Sequence, residues 1–418
     1  MLSLVEAHNY RCLRYVRQSL SSFHVLVGPN ASGKSTFLDV VSFLGDLVSE
    51  GLEHAIYQRT RSFPDLLWRR TGGSFELAIE AIIPDDRRAL LAVEEYDTVR
   101  YEVEIGTDPD TSEIAILNEK GWLQTRKSNG SVQRELFPAP VEPPTSIITV
   151  KKGGKKRSLF SKTPGGNDNY YADAHSKDGR WAPAFKLGPR KSTLGNLPED
   201  EENFPVSTWF KQMLSRGVER IILNSAFIRQ ASPPGQQRGF KPDGSNLPWV
   251  VDGLADRDPE RIHQWIAHLR SALPDLAAVG TIERPDDRHR YLSLEYDGGL
   301  KVPSWMASDG TLRLLALTLP AYLDDLAGIY LIEEPENGIH PRAIETMYQS
   351  LSSVYGAQIL MATHSPVILS VTNIKEVLCF AKTQEGTTDI VIGNEHPSLR
   401  DWHGQENLGV LFAGGVLS

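Results

Sequence analysis

Cysteine is scarce: two residues among 418, Cys12 and Cys379, each in an apolar, strand-like stretch. Neither belongs to a C-x-x-C or Cys/His cluster, so nothing points to a zinc site or a disulfide framework, and a reducing compartment suits such thiols. Long apolar runs are missing too. The longest, residues 314–323, is broken by Pro320, and Glu6 stands where a leader peptide would continue its apolar core. These absences predict a soluble, cytoplasmic chain with no membrane contact. No heptad pattern is sustained, which argues against long coiled-coil arms. No serine or cysteine triad, nuclease acid cluster, Asn-Lys-x-Asp guanine reader or internal repeat is apparent.

The net charge of -9 argues against a protein that coats polyanions, so any nucleic-acid contact has to be local. The basic run Lys151-Lys152-Gly153-Gly154-Lys155-Lys156-Arg157 has two readings, a solvated hairpin tip and a contact to a phosphate backbone such as DNA; the first is favoured. A chain of this length exceeds one ordinary core, which predicts two or three domains or one large domain with an insertion.

What is present is concentrated in a few stretches. Gly28-Pro29-Asn30-Ala31-Ser32-Gly33-Lys34-Ser35 has the form G-x-x-x-x-G-K-S, followed by Thr36. Residues 23–27 before it read as a buried strand. Phe37, Leu38, Val41, Leu44, Leu47 and Val48 after it recur at helical spacing. In that setting Gly28 and Gly33 let backbone N–H groups turn inward onto phosphates, and the helix dipole points at the same place. Lys34 can reach the outer phosphates, and the Ser35 hydroxyl can ligate Mg²⁺. The alternative, a chance Gly-Ser turn, does not account for the flanking elements. A nucleoside triphosphate with Mg²⁺ is the expected ligand.

Two further apolar strands end in chemistry. Residues 328–332 run into Glu333-Glu334-Pro335-Glu336, where Glu333 can hold Mg²⁺ and Glu334 can deprotonate an attacking water. Residues 358–362 run into Thr363-His364-Ser365, which offers an imidazole able to sense a γ-phosphate. Upstream, Ser308-Asp309-Gly310-Thr311 opens an apolar helix. Such a turn is a plain cap or a second phosphate reader, and since the chain already has one phosphate loop, the reader would serve another subunit.

The order of phosphate loop, Ser-x-Gly turn, Glu-Glu strand end and Thr-His-Ser resembles the ABC-type ATPases of the SMC, RecF and OLD (overcoming lysogenization defect) group. The wording Glu334-Pro335-Glu336-Asn337-Gly338-Ile339-His340-Pro341, with Asn9-Tyr10-Arg11 and Gly244-Ser245-Asn246-Leu247, is similar to the compact OLD-like ATPases of bacterial anti-phage systems. The resemblance covers residues 1–370.

It implies an α/β fold, an ABC/SMC-type P-loop head with a mixed sheet and an accessory antiparallel β layer. It also implies a homodimer or higher homo-oligomer, with ATP sandwiched between Lys34 of one copy and Ser308 and Gly310 of the other. Asn337 and Gly338 would face the partner's nucleotide, and Arg11 would lie near the nucleotide. The signature departs from the transporter form Leu-Ser-Gly-Gly-Gln, and Glu333 replaces the commoner Asp; Gln58 is a candidate for the glutamine loop.

The implied division is residues 1–125 as the first half of the head, 126–205 as a loop-rich insertion lobe and 206–418 as the second half. Full OLD nucleases continue into a Toprim domain, for which residues 365–418 are too few. The apolar end, residues 407–417, reads as a last core element ahead of a docking strip. The leading expectation is an ATP-hydrolysing switch that controls a separately encoded effector such as a Toprim-type nuclease. A RecF-like DNA-repair ATPase, a transporter ATP-binding subunit and a structural scaffold are the alternatives.

Overall fold

The computed structural model describes all residues except 94, 127–133, 151–155, 164, 175–182, 237–238, 400–406 and 418. The basic residues 151–155 therefore lie outside the described residues. The chain divides into two compact units, one of Met1–Val218, Ile374–His403 and Val416–Ser418, the other of Glu219–Asn373 and Gly404–Gly415.

The first unit begins with β1 (Leu2–Tyr10), β2 (Leu13–Ser19) and β3 (Phe23–Val27), the last leading into the glycine loop. β4 (Ser74–Ile82), β5 (Thr98–Thr107), β6 (Ile114–Gln124), β7 (Lys156–Lys162), β8 (Asp168–Tyr170) and β9 (Ala184–Phe185) follow. Together with β1 and β2 they form an eight-stranded sheet ordered β2-β1-β4-β5-β6-β7-β8-β9, antiparallel throughout. Described parts of residues 126–205, expected as a loop-rich lobe, thus add β7–β9 to this sheet. Apolar and polar residues alternate along residues 75–83 and 99–105, a pattern that marks strands in the sequence itself. It left one thing hidden, that both faces are covered.

On one face Arg100 is buried among three carboxylates: Nη2 donates to Glu6 at 2.7 Å, Nη1 to Glu80 at 3.1 Å and Nε to Glu102 at 2.6 Å. Burial alone would lower the Arg100 pKa, but Glu6 and Glu102 outweigh it and raise it. Glu102, fully buried, also accepts from Trp122 Nε1 and from the Thr149 amide and hydroxyl. Charge can be buried here because nearly every lone pair is used.

Helices α1 (Lys34–Ser49), α2 (Leu52–Tyr57), α3 (Asp85–Arg88) and α4 (Pro205–Gly217) complete the unit's N-terminal part. α1 is buried nearly all round rather than on one face, since Val40 and Phe43 are as covered as Phe37 and Leu44. Phe43 meets the rings of Tyr10 and Phe75 with centroids 5.9 and 5.6 Å away. Gly45 lets α4 approach; a Cβ there would lie 3.1 Å from the Leu214 carbonyl oxygen.

The second unit contains β10 (Val218–Ile221), α5 (Ser225–Arg229), α6 (Leu247–Arg257), α7 (Pro259–Leu269), β11 (Leu276–Glu283), β12 (Arg290–Tyr296) and β13 (Leu300–Pro303). Then come α8 (Asp309–Thr318), β14 (Gly328–Glu333), α9 (Pro341–Ser352), β15 (Ala357–Ala362), α10 (Pro366–Val371) and α11 (Leu408–Ala413). β14 and β15 pair in parallel, with β10 beside β14, while β11–β13 form a separate antiparallel sheet. α11 rests on α10 so closely that a Cβ on Gly409 would meet the Pro366 carbonyl at 2.2 Å. Leu408 is buried and Val410 exposed, so the apolar tail is only partly a core element.

The first unit closes with β16 (Val377–Lys382), parallel to β3, and β17 (Thr388–Ile392), antiparallel to β16. Among the described residues the longest helix is α1, with 16 residues, and no helix is long and apolar enough to cross a membrane.

His24 on β3 is nearly fully buried; its Nε2 accepts from the Ser21 amide at 2.8 Å and its Nδ1 lies 3.0 Å from the Glu376 carbonyl oxygen. Burial lowers its pKa from 6.5 to about 4. The unfolded chain therefore takes up a proton between those values that the folded chain refuses, and stability falls as pH drops through that window. His24→Gln should remove that contribution, of order 1–3 kcal/mol, from the acid side of the denaturation profile. Chemical denaturation at pH 7 and pH 4.5 measures it, and an unchanged pH slope in the variant would contradict the assignment.

Candidate functional site

The phosphate loop is built by the first unit. Its shape is imposed by close neighbours on β16 and β17: a Cβ on Gly28 would lie 2.2 Å from the Phe380 carbonyl oxygen, and one on Gly33 would lie 2.5 Å from Thr388 Oγ1. Both glycines have positive φ, 147° and 107°, and Ala31 joins them at 61°. Glycine takes such a conformation without a steric penalty, whereas Ala31 has a Cβ and holds it only because its surroundings enforce it. Pro29 O accepts from the Ser32 amide at 3.3 Å, and Thr388 Oγ1 donates to Ser32 O at 2.9 Å, so the turn around Asn30 is tied at both ends.

Lys34 is buried, with Nζ donating to Gly28 O at 2.8 Å and Pro29 O at 3.1 Å, which curls the ammonium back over the loop. Gly33 caps α1 without a side-chain acceptor, and the first turn, including Ser35 and Thr36, carries no acid. That leaves a positive helix end suited to an anion.

The turn at Arg11 lies against this loop. Cys12 Sγ is 3.3 Å from Thr36 Oγ1, and it would be 3.3 Å from a Cβ on Gly33. Arg11 itself has φ 49° and points its Nη1 at Asp39 Oδ2, 3.1 Å away. Asp39 is buried in α1 and also accepts from Tyr10 Oη at 2.6 Å and Arg59 Nε at 2.7 Å. Arg59 reaches on to Asp46 at 2.8 Å. Sequence reasoning missed this cluster, although a lone acid inside the apolar run Thr36-Phe37-Leu38-Asp39-Val40-Val41 is a usable signal, because a buried charge needs partners. Gln58, the glutamine-loop candidate, is an exposed residue at the end of α2.

The second unit brings the remaining candidates together. β14 ends at Glu333, half-buried and paired with Arg220 Nη2 at 2.8 Å. Glu334 follows with φ 47°, its amide donating to Ala362 O at the end of β15 at 2.8 Å. Asn337 Nδ2 donates to Glu334 Oε2 at 2.5 Å. Glu336 Oε1 accepts from Thr363 Oγ1 at 2.6 Å and from the His364 amide at 3.0 Å, so the acid-rich turn and the half-buried histidine are one hydrogen-bonded group.

Ser308 caps α8, accepting from the Thr311 amide at 3.1 Å. A Cβ on Gly310 would lie 2.6 Å from Gly338 O, so the Ser-x-Gly turn and the Asn337-Gly338 turn can touch only with glycine there. Arg229, which the sequence did not single out, donates to Asp309 through Nε at 2.9 Å and Nη2 at 2.7 Å, and to Trp305 O at 3.1 Å. The Gly244–Leu247 stretch has a structural role, since Asn246 is buried, accepting from the Lys241 amide and donating to Gly239 O.

Ser35, in the first unit, and Glu333, in the second, each carry an oxygen donor of the hard kind that Mg²⁺ takes, and Glu333 is paired with Arg220. Among the described residues no group of three or more His, Cys, Asp and Glu side chains is placed to hold a metal. At the described end of the basic run, Arg157 donates to Ala172 O at 2.6 Å and is occupied internally.

The buried Asp39 gives a testable figure. Asp39→Ala takes from the buried Arg59 its closer carboxylate, leaving Asp46 and the neutral oxygens of Ala55 and Ser42, and should cost about 3 kcal/mol of unfolding free energy. Chemical denaturation checks this; a loss below about 1 kcal/mol would show the cluster to be dispensable.

The family profile described as "AAA domain, putative AbiEii toxin, Type IV TA system" matches residues 23–370. A crystal structure of an Smc head bound to the C-winged helix domain of ScpA is similar over 93% of this chain and 96% of that chain, with 15% identity and a TM-score of 0.53. An Smc head domain with an extended coiled coil, bound to the C-terminal domain of ScpA derived from Pyrococcus furiosus, is similar over 93% and 95%, with 13% identity and a TM-score of 0.51. No curated protein matches the sequence. At these identities the likeness is one of fold. It is the expected fold, an α/β P-loop head of the SMC type with a mixed sheet and an accessory antiparallel β layer, and without a long coiled coil among the described residues. The profile match extends from β3 and the phosphate loop through α8, Glu334 and His364, and the chain belongs to this family of AAA-domain ATPases.

Proposed function

We propose that the chain is an ATP-hydrolysing switch of the OLD-like kind, which pairs head to head on ATP and transmits the nucleotide state to a separate effector protein in anti-phage defence. The observation that carries the nucleotide half is the phosphate loop, whose glycine backbone is forced by β16 and β17 into a turn opening onto the uncapped N-terminus of α1. The defence half is supported by the family description, which names an AbiEii toxin and a Type IV toxin–antitoxin system. That the similar Smc head is bound to a ScpA domain supports a partner protein. A Toprim-type nuclease is the effector class the reading names.

In this reading Lys34 leaves the Gly28 and Pro29 carbonyls to bind the outer phosphates, while the α1 N–H groups hold the rest of the triphosphate. The Ser308 hydroxyl and the Gly310 backbone of a second copy cover the γ-phosphate. Glu334 takes the proton of the attacking water, and His364 donates to the γ-phosphate oxygen as charge develops there. Ser35 and Glu333 would hold Mg²⁺, which supplies charge neutralisation at the β- and γ-phosphates.

Glu334→Gln removes the base while keeping shape and hydrogen bonding, so ATP should bind, turn over at least ~10²-fold more slowly, and accumulate a stable dimer on gel filtration. Nucleotide affinity near wild type with dimer formation supports the switch. A variant that hydrolyses normally, or stays monomeric with ATP bound, contradicts it.

A further inference from the structure

The turn from Glu334 to Asn337 is fixed from three sides. Its entry is pinned by the Glu334 amide on Ala362 O, and it is closed by the Asn337 amide donating to Glu334 O at 3.0 Å. Its middle is held by Glu336, which takes Thr363 Oγ1 and the His364 amide on Oε1 and keeps Oε2 buried without a partner. Its far end touches the α8 turn through the Gly338 carbonyl over Gly310. Inside this frame Glu334 sits in the left-handed region, at a cost of order 1 kcal/mol for a residue with a Cβ. The frame therefore dictates the direction of its side chain.

One further bond fixes the carboxylate itself. Asn337 Nδ2 donates to Glu334 Oε2 at 2.5 Å. An ionised carboxylate only accepts, so the amide must present its NH₂ group, and aspartate at this position could not replace it. Both side chains are exposed in the single chain, so the bond adds little to folding.

We infer that Asn337 is a positioning residue for Glu334 of its own chain: its amide holds one carboxylate oxygen so that the other is aimed at the attacking water. This rests on the reading of Glu334 as the base. It differs from the expectation that Asn337 faces the partner's nucleotide, because the bond is made within one chain. It also gives the Ser308–Gly310 turn a route to the base, since that turn rests on Gly338, one residue beyond Asn337.

The test uses the full chain with Asn337→Ala, Asn337→Asp and Glu334→Gln, measuring steady-state ATP hydrolysis and nucleotide affinity. Asn337→Ala should lower kcat about 10- to 100-fold with KM and nucleotide Kd unchanged. Asn337→Asp should lose at least as much, because it keeps the shape but removes the donor and places a second negative charge on Glu334. Aspartate serves a turn as well as asparagine does, so a purely structural role predicts that Asn337→Asp keeps full activity, and that result overturns the inference. A raised KM or Kd with kcat preserved would move Asn337 to the nucleotide and also overturn it. Glu334→Gln separates the two levels. If that variant hydrolyses normally, the base is elsewhere and the reading beneath fails. If it is inactive while both Asn337 variants match wild type, only the positioning role fails.

Discussion

A negative charge inside an apolar helix has to be matched donor by donor, and the first unit is organised around one such charge. Asp39 lies on α1, one turn beyond Ser35, in a helix otherwise packed with Phe, Leu and Val. Tyr10 brings the end of β1 to it, Arg11 brings the turn that touches Thr36, and Arg59 brings the chain after α2. The Tyr10 hydroxyl is held protonated, its pKa raised well above the usual value by burial and by the Asp39 charge. Breaking one member leaves another buried charge exposed to nothing, which is why such clusters hold geometry tightly even when they add little net stability. The helix carrying the phosphate-loop lysine is thus fixed at its first turns by polar bonds and farther along by rings of Phe43, Tyr10 and Phe75.

The second unit solves a different problem, which is to aim acids rather than bury them. β14 and β15 are parallel and end together, Glu333 opposite Ala362, so their carboxyl ends deliver Glu334 and His364 to one place. The acids are then spread among distinct partners: Glu333 to Arg220, Glu334 to Asn337, Glu336 to Thr363 and His364. Three carboxylates within four residues would otherwise repel one another, and separate donors let them share a turn. The α8 turn, clamped by Arg229, is joined to this group through the contact of Gly310 with Gly338.

Much of this was legible in the sequence because its signals are local. The glycine spacing of the phosphate loop, the apolar strands ending in Glu333-Glu334 and in His364, and the cap at Ser308 all fall within a few residues of the atoms they position. The burial of α1 on all sides, the Arg100 cluster with Glu6, Glu80 and Glu102, and the partners of Asp39 were not legible, since each joins residues far apart in the chain. The strands β7–β9 escaped notice because β8 and β9, with three and two residues, are too short to show a period of two, and their pairing rests on neighbours instead. Asn337 was noticed for its place after Glu334-Pro335-Glu336, yet its bond to Glu334 depends on a left-handed residue that no pattern announces.

The central claim is that the phosphate loop of one copy works with the Ser308 turn of another. The direct measurement mixes two inactive chains, Lys34→Ala and Ser308→Arg, and follows ATP hydrolysis against each chain alone. A paired dimer of the two carries one doubly damaged site and one intact site, so the mixture should regain activity that neither chain has by itself. A mixture no more active than the sum of its components, with mixed dimers present, would place the whole site within a single chain and contradict the account.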